Sequence, residues 1–132
     1  MAWKCIIVDD EPVARNILEE FISEVDYLDL AGKAENPLKA ETLLNEGDID
    51  LIFLDINMPS MDGWEFLEKY KELKKENSAQ IIIIMLTTSL NPDDVLRAYQ
   101  MPEISGFENK PLTTEKIDRI VKKYFGNVEV KI

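Results

Sequence analysis

Residues 49–63 read Ile-Asp-Leu-Ile-Phe-Leu-Asp-Ile-Asn-Met-Pro-Ser-Met-Asp-Gly, and this stretch decides how the chain folds. Its apolar run Leu51–Leu54 is bounded by polar residues, which is typical of a strand buried on both faces of a parallel sheet. The run ends at Asp55, and Pro59 cannot continue a strand because proline lacks an N–H. We therefore expect Asp55 at the carboxyl end of a central strand, where open α/β sheets bind their ligands. Taken alone, an aspartate at such a position is more often a capping or turn residue.

Length and composition indicate one globular domain. The 132 residues are 45% hydrophobic, and we expect a single domain over 1–132, with its core over 3–126 and residues 127–132 as a tail or linker stub. The net charge of −11 argues against non-specific binding to nucleic acid, because that affinity comes from neutralising phosphates. The chain has no histidine, which excludes histidine-based catalysis, and its one cysteine, Cys5, cannot form an internal disulfide. It shows no signal-peptide pattern and no membrane-length apolar run, so we expect a cytoplasmic protein.

Along the rest of the chain, short apolar runs alternate with segments of helical periodicity. The predicted strands are Cys5–Val8, Tyr27–Ala34, Leu51–Leu54, Ile81–Leu86 and Ile104–Phe107. The predicted helices begin at Pro12, Pro37, Asp62, Asn91 and at Thr113 or Thr114. A strand–helix pair repeated five times with short, right-handed connections predicts an α/β fold. Its doubly wound parallel sheet of five strands would carry helices on both faces.

Residues capable of chemistry follow four of these predicted strands. Asp9 and Asp10 follow the first strand, Asp55 the third, Thr87 the fourth and Lys110 the fifth. The carboxyl ends of parallel strands meet at one edge of the sheet, so these side chains are expected together. Carboxylates about 4 Å apart repel by about 1 kcal/mol per pair in water and by several in a protein, so a hard cation is expected, and Mg²⁺ suits oxygen ligands. A carboxylate facing a cation, a hydroxyl and an ammonium group is a plausible nucleophile for phosphoryl transfer.

Each of these residues also has a purely structural explanation. Asp10 could cap the first helix, Thr87 could satisfy a backbone group at a strand end, and Lys110-Pro111 could be an ordinary turn. Five such residues at one edge of one sheet favour a functional site over five separate coincidences.

Four motifs of the chain resemble the receiver domain of two-component response regulators. They are Ile7–Pro12 (Ile-Val-Asp-Asp-Glu-Pro), Leu54–Gly63, Met85–Thr87 and Gly106–Pro111. The resemblance covers nearly the whole chain and implies a flavodoxin-like (βα)5 fold. It also implies a phosphoprotein in a phosphorelay, which accepts a phosphoryl group from a histidine kinase or phosphotransfer protein. Such a domain is not an enzyme, and it catalyses only its own phosphorylation and dephosphorylation.

The resemblance assigns the acidic residues to a Mg²⁺-dependent phosphoacceptor site. Asp55 would be the residue phosphorylated, forming an aspartyl phosphate. Asp10 and Asp55 would bind Mg²⁺ directly, with the backbone carbonyl of Asn57 as a third ligand. Asp9 would act through water bound to the metal.

The resemblance assigns switch roles to three further residues. Thr87 would bond a phosphoryl oxygen and move inward on activation. Lys110 would bind another phosphoryl oxygen, with a cis peptide to Pro111. Phe107 fits the switch aromatic, and its alternative role is ordinary packing of the fifth strand.

The sequence also departs from the family pattern. Thr88 stands where many receivers have alanine, and residues 100–106 differ from the common Gly-Ala turn before the fifth strand. That difference puts the end of the fourth helix in doubt. The side chains of Asn57 and Ser89 occupy positions that, in the family, tune the lifetime of the aspartyl phosphate.

Phosphorylation is expected to switch the surface made by the fourth helix, the fifth strand and the fifth helix in the predicted order. We call it the helix 4–strand 5–helix 5 face, and it would dock a partner or a second copy of the chain. The resemblance also implies that the exposed part of the apolar stripe on residues 12–25 would dock the kinase, although most of that stripe is predicted to be core. No direct binding of nucleic acid and no membrane contact are expected of this domain.

The sequence is compatible with two modes of output for a receiver and with two other classes of protein. The chain could be a stand-alone regulator, or the receiver of a longer protein with a DNA-binding or enzymatic effector. A phosphatase of the haloacid dehalogenase type also uses a strand-end aspartate, but it needs a second one where this chain has Asn57, and no cap is evident. A degenerate receiver that serves only as a scaffold is opposed by the intact set of five site residues.

Overall fold

The computed structural model describes residues 3–46, 49–55, 81–87, 93, 96, 100, 104–109 and 112–125. Its strands are β1 (Trp3–Val8), β2 (Leu28–Ala34), β3 (Leu51–Asp55), β4 (Ile82–Thr87) and β5 (Gly106–Asn109). Its helices are α1 (Pro12–Ser23), α2 (Pro37–Glu46) and α3 (Thr114–Phe125), the last being the fifth helix of the predicted order. The predicted helix from Asp62 to Lys75 lies outside the described residues. The predicted fourth helix is described at residues 93, 96 and 100, which are helical.

The five strands form one parallel sheet in the order β2-β1-β3-β4-β5. β3 lies at its centre, and all five of its residues are buried because β1 and β4 flank it and side chains cover both faces. This agrees with the continuous apolar run that marks a buried parallel strand.

Helices cover both faces of this sheet. On one face, the α2 residues Ala40, Leu43 and Leu44 pack with Ile6, Val8, Ile52, Leu54, Ile83 and Met85. On the other, Leu18 and Ile22 of α1 and Ile117, Ile120 and Val121 of α3 pack with Cys5, Ile7, Leu51, Phe53, Ile84 and Leu86. The predicted doubly wound α/β architecture is therefore confirmed.

Residues at the N-termini of α1 and α3 explain where these two helices begin. α1 starts at Pro12, where proline is tolerated because the first helical N–H has no partner within the helix. Its N-cap is Glu11, which makes no side-chain capping hydrogen bond. At α3, the Thr113 hydroxyl accepts a hydrogen bond from the Lys116 N–H at 3.3 Å, so Thr113 is the cap of the two threonines considered.

The apolar stripe of α1 is wider than the surface it buries. Leu18, Ile22 and Val25 are buried, as predicted, but Val13 is 63% exposed and Ile17 is 44% exposed. Periodicity indicates the apolar face of a helix and does not tell how far the neighbouring elements cover it. None of the described helices combines the length and the apolar character that crossing a membrane requires.

The fifth strand begins two residues later than predicted. The sequence predicts a strand over Ile104–Phe107, whereas β5 runs over Gly106–Asn109, paired with β4 from Ile84↔Gly106 to Thr87↔Asn109. Ser105 explains the shift, because its side-chain hydroxyl accepts the hydrogen bond of the Ile83 N–H at 3.2 Å. The regular ladder therefore starts after Ser105 and extends to the carboxyl edge of the sheet.

Candidate functional site

Asp9 lies in the loop between β1 and α1, where hydrogen bonds hold both its backbone and its side chain. Its N–H donates to the Ala34 carbonyl at 3.0 Å, at the end of the neighbouring strand β2. Its Oδ1 accepts from the Glu11 N–H at 3.0 Å, and its main-chain oxygen accepts from Arg15 Nη1 at 2.7 Å. Asp9 is only 3% exposed, so both its backbone and its side chain are fixed where β1 ends.

Strand pairing brings Asp55 next to this loop. β1 and β3 are neighbours in which Val8 pairs with Leu54, so the next residues along, Asp9 and Asp55, lie side by side. Asp55 is the last residue of β3 and is 5% exposed, whereas Asp10 is half-buried. Each of the three aspartates has a carboxylate oxygen within 4.8 Å of the others. Asp10 is not the N-cap of α1, since Glu11 holds that position.

This cluster of carboxylates has the chemistry of a site for a hard cation. Carboxylates at such separations repel by about 1 kcal/mol per pair in bulk water and by several at the lower effective dielectric of a protein. Neither Asp9 nor Asp55 is exposed enough for water alone to screen that repulsion. All three offer oxygen ligands, which Mg²⁺ prefers, and Asp10 faces solvent enough to leave room for metal-bound water. The residues present therefore fit Mg²⁺.

The structure describes the other predicted site residues only in part. Thr87 is the last residue of β4, one position beyond the Leu86 that pairs with Asp55, but its side chain is outside the described residues. Asn57 and Lys110 are outside them too. Thr88 and Ser89, the two positions noted beside the phosphoacceptor site, are likewise outside.

Phe107 is described and lies in β5. It pairs with Met85 of β4, is half-buried, and packs against the hydrophobic cluster on the α2 face of the sheet. It also lines a groove of about 220 Å³ between β5 and α3, together with Ile84, Ser105, Gly106, Glu108, Arg119, Ile120, Lys123 and Tyr124. Among the described residues, this groove is one part of the helix 4–strand 5–helix 5 face.

Sequence reasoning missed Arg15, which contacts the loop that carries two of the three aspartates. Its guanidinium bonds the Asp9 carbonyl, and its own N–H bonds the Glu11 carbonyl at 3.0 Å in the first turn of α1. The available signal was an arginine one helical turn after the Asp9-Asp10 pair, close enough to reach back to it.

The fold and this edge define an α/β protein with a cation-competent acidic site at the carboxyl ends of its parallel strands. Within that class, the chain belongs to the response regulator receiver domain family, whose model matches residues 5–122. Receiver domains of two-component systems are phosphoacceptors, bind Mg²⁺ at an acidic pocket, and interact with histidine kinases or phosphotransfer proteins.

Two curated relatives show the variety of proteins that contain a similar segment. The chain is 31% identical over 111 residues to a protein-glutamate methylesterase/protein-glutamine glutaminase of Thiobacillus denitrificans, covering 84% of this chain and 30% of that protein. It is 32% identical over 120 residues to the sensory transduction protein LytR of Staphylococcus saprophyticus, covering 91% of this chain and 44% of that protein. The chain therefore spans less than half the length of either relative.

Solved structures share the fold. A two-component response regulator from Cytophaga hutchinsonii superposes with a TM-score of 0.85 at 22% identity, over 96% of this chain and 98% of that one. A Saccharomyces cerevisiae receiver domain, crystallised with a histidine phosphotransfer signalling protein, superposes with a TM-score of 0.78 at 23% identity. That match covers 93% of this chain and 88% of the yeast chain. At these identities the likeness concerns the fold.

Proposed function

We propose that this chain is a phosphorylation-controlled switch whose phosphoacceptor is Asp55. The observation that carries the proposal is the convergence of Asp55 with Asp9 and Asp10 at the carboxyl edge of the sheet. A buried carboxylate at a strand end, beside two further carboxylates, is the arrangement that a metal-assisted phosphoacceptor requires.

The chemistry is a displacement at phosphorus. A carboxylate oxygen of Asp55 forms a bond to the phosphorus while the bond from phosphorus to the donor's leaving group breaks, and its electron pair stays with that group. The donor is a phosphohistidine of a partner protein or a small acyl phosphate. Asp10, Asp55 and the Asn57 carbonyl would hold Mg²⁺, with Asp9 acting through bound water, and the ion supplies neutralisation of the phosphoryl oxygens when bound.

The proposed switch runs from this edge of the sheet to the helix 4–strand 5–helix 5 face. Thr87 and Lys110 would each bond a phosphoryl oxygen, which would favour one of two arrangements of that face. Phe107 supports this route, because it lies in β5, the strand that joins the carboxyl edge of the sheet to this face, and its side chain is half-buried. The face would then dock an effector protein or domain, or a second copy of the chain.

The partner that supplies the phosphoryl group is proposed to dock on α1. Val13 and Ile17 give this helix an exposed apolar patch in the turns that follow the acidic loop. A phosphotransfer protein would need to reach Asp55 across that loop. The yeast receiver domain crystallised with a phosphotransfer protein has the same fold, which supports a partner of this kind.

The output of the whole protein is a separate proposal. We propose one receiver domain over residues 1–132, with a core over 3–126 and a tail or linker stub at 127–132, that regulates either by protein contact or through an attached effector. The chain matches only 30% and 44% of the length of two curated relatives, so each relative carries further segments beside its receiver-like segment. This favours an attached effector, which in the methylesterases is enzymatic. The family assignment lends no support to a phosphatase of the haloacid dehalogenase type.

Intact mass after incubation with acetyl phosphate and Mg²⁺ tests Asp55 as the acceptor. We expect one added phosphoryl group in the wild type, and none in Asp55→Asn or in wild type with EDTA. Asp26→Asn is the matched control, because Asp26 is an exposed aspartate in the turn before β2, and it should be modified like the wild type. Full modification of Asp55→Asn would overturn the assignment.

Binding of beryllofluoride distinguishes two kinds of protein that acetyl phosphate would leave unmodified. One is a receiver that accepts a phosphoryl group only from its kinase, and the other is a scaffold without a working site. We expect beryllofluoride to bind with Mg²⁺ and to shift the NMR signals of Thr87 and Phe107, with no effect in Asp55→Asn. A lack of binding by the wild type would overturn the phosphorylation proposal.

A further inference from the structure

The side chain of Arg15 makes a hydrogen bond to a main-chain peptide group at the acidic site. Its Nη1 donates a hydrogen bond to the main-chain oxygen of Asp9 at 2.7 Å, and the side chain is half-buried on the first turn of α1. Because the acceptor is a main-chain carbonyl, this hydrogen bond orients the backbone of the loop. The Arg15 N–H bonds the Glu11 carbonyl at 3.0 Å, which places the arginine in regular helix and gives its side chain a fixed origin.

The bonded oxygen belongs to the peptide group that joins Asp9 to Asp10. A peptide group is planar, so the direction of the Asp9 carbonyl also sets the direction in which the chain enters Asp10. On the Asp9 side, the N–H is held by Ala34 and the carboxylate by the Glu11 N–H. The Arg15 bond adds a restraint on the Asp9–Asp10 peptide itself, and therefore on the approach of the Asp10 carboxylate to Asp55.

We propose that Arg15 is a positioning residue for the cation site, holding the Asp9–Asp10 peptide so that both carboxylates face Asp55. This inference rests on the proposed function, in which those carboxylates hold Mg²⁺. Removing a residue that orients metal ligands without touching the metal typically weakens metal affinity by about 10–100-fold. Because the hydrogen bonds of Asp9 to Ala34 and Glu11 remain, we expect an effect near the lower end of that range.

The positive charge of Arg15, taken alone, predicts that removing the side chain strengthens Mg²⁺ binding. The direction of the change in Mg²⁺ affinity therefore tests the inference. A guanidinium near a cation site repels the cation, so removing it tightens Mg²⁺ binding if charge is the dominant effect. If the orientation of the loop is the dominant effect, removing the guanidinium weakens Mg²⁺ binding.

Titration calorimetry with MgCl₂ on the whole chain distinguishes the two results. We expect the Mg²⁺ dissociation constant of Arg15→Met to rise by about tenfold. Arg15→Lys keeps the charge and can donate to the same carbonyl, so it should recover most of the wild-type affinity. Lys4→Met is the control, because it also removes a positive charge, and Lys4 is exposed near the amino end of β1, at the edge of the sheet opposite the acidic site. Its affinity should stay at the wild-type value.

The outcomes separate failure of this inference from failure of the proposed function. If the wild type binds Mg²⁺ and Arg15→Met binds it equally or more tightly, Arg15 does not position the site and only this inference is overturned. If the wild type does not bind Mg²⁺, the proposed function is overturned and the inference with it.

A second readout guards against a variant that is merely misfolded. The extent of phosphorylation by acetyl phosphate should show a higher Mg²⁺ midpoint in Arg15→Met and an unchanged plateau at saturating Mg²⁺. A lost plateau with the proton NMR dispersion of a folded chain would mean that Arg15 does more than position the ligands, and it would overturn the inference as stated. If Arg15→Met is unfolded, the same titration on Arg15→Gln decides, with the same expected shift.

Discussion

The phenol of Tyr27, the residue before β2, donates a hydrogen bond to Oδ1 of Asp118 on α3, 91 positions away. The other oxygen of Asp118 pairs with Lys122 at 3.0 Å. One turn earlier on α3, the Thr114 hydroxyl donates to Glu24 at 2.9 Å. The junction between α1 and β2 is therefore joined to α3 by two hydrogen bonds between side chains.

Tyr27→Phe should lower the free energy of unfolding by about 1 kcal/mol, because it removes the hydroxyl and keeps the ring. A hydrogen bond to a buried carboxylate would contribute more, but Asp118 is 40% exposed and water screens part of the interaction. Urea denaturation measures the change. In an Asp118→Ala background the same substitution should cost almost nothing, and an equal cost in both backgrounds would show that the hydroxyl acts elsewhere.

The energy of this hydrogen bond should depend on pH in acid. The bond from Tyr27, followed by that from Lys122, lowers the pKa of Asp118 below its ordinary value of 3.8. A carboxyl whose pKa is lower in the folded state stabilises the fold above the unfolded pKa, and this stabilisation is lost as pH falls through the folded pKa. The coupling between Tyr27→Phe and Asp118→Ala should thus be complete at pH 6 and smaller below about pH 4. A coupling free energy that does not change with pH would contradict the assignment.

Asp10→Asn should stabilise the protein when no divalent cation is present. The substitution removes two of the three carboxylate pairs in the cluster, which relieves about 2 kcal/mol of repulsion at the value for water, while the new amide keeps the shape of the side chain. With Mg²⁺ the order should reverse, because binding to the folded state stabilises the wild type more than the variant.

Urea denaturation in EDTA and in MgCl₂ checks both parts of the Asp10 prediction. Asp26→Asn, at an exposed turn, is the control and should respond alike in both buffers. A variant that is less stable than the wild type in EDTA would show that the Asp10 carboxylate stabilises the loop more than it repels its neighbours.

Much of the fold follows from the sequence because its strongest patterns have one physical cause each. Leu51–Leu54 and Ile83–Leu86 are buried strands, since an uninterrupted apolar run can only be satisfied by burial on both faces. Asp55 ends its run, so its place at the carboxyl edge could be predicted. The proximity of Asp55 to Asp9 and Asp10 follows from parallel pairing, which brings these strand ends to one edge.

Other features depend on contacts that local patterns do not encode. β5 begins after Ser105 because the Ser105 hydroxyl accepts the hydrogen bond of the Ile83 N–H in place of a main-chain carbonyl. The apolar side chain of Ile104 had instead indicated that the strand starts there. The bond from Arg15 to the Asp9 carbonyl depends on the shape of a loop. The exposure of Val13 and Ile17 depends on how far neighbouring elements extend over α1.

The thiol of Cys5 should be unreactive in the folded protein. Cys5 is fully buried in β1, and that burial, assisted by the negative charges of Asp29 and Asp50, raises its pKa to about 12. At pH 8 only about one thiol in 10,000 would be the reactive thiolate even if reagent could enter. Labelling with a chromogenic disulfide should be slow in buffer and fast and stoichiometric in denaturant. Rapid labelling of the native protein would mean that β1 opens without global unfolding.

Gly106→Ala should destabilise the protein through one identified contact. A Cβ at Gly106 would lie 2.8 Å from the Tyr124 hydroxyl and 3.1 Å from Cδ1 of Ile84, so the tyrosine would have to move. That hydroxyl donates a hydrogen bond to the Ser105 carbonyl, which ties the end of α3 to the start of β5. Crowding and the weakened hydrogen bond together should cost about 1–3 kcal/mol.

A double-mutant cycle assigns that cost to the tyrosine hydroxyl. Tyr124→Phe removes the atom that the new methyl group meets, so Gly106→Ala should cost clearly less in this background, and urea denaturation of the four proteins gives the difference. Gly32→Ala is a matched comparison, since its Cβ would lie 2.7 Å from Cδ2 of Leu43, the movable end of a half-buried side chain, and should cost less than Gly106→Ala. If Gly106→Ala is equally costly with and without the hydroxyl, the contact with Ile84 in β4 is the dominant one.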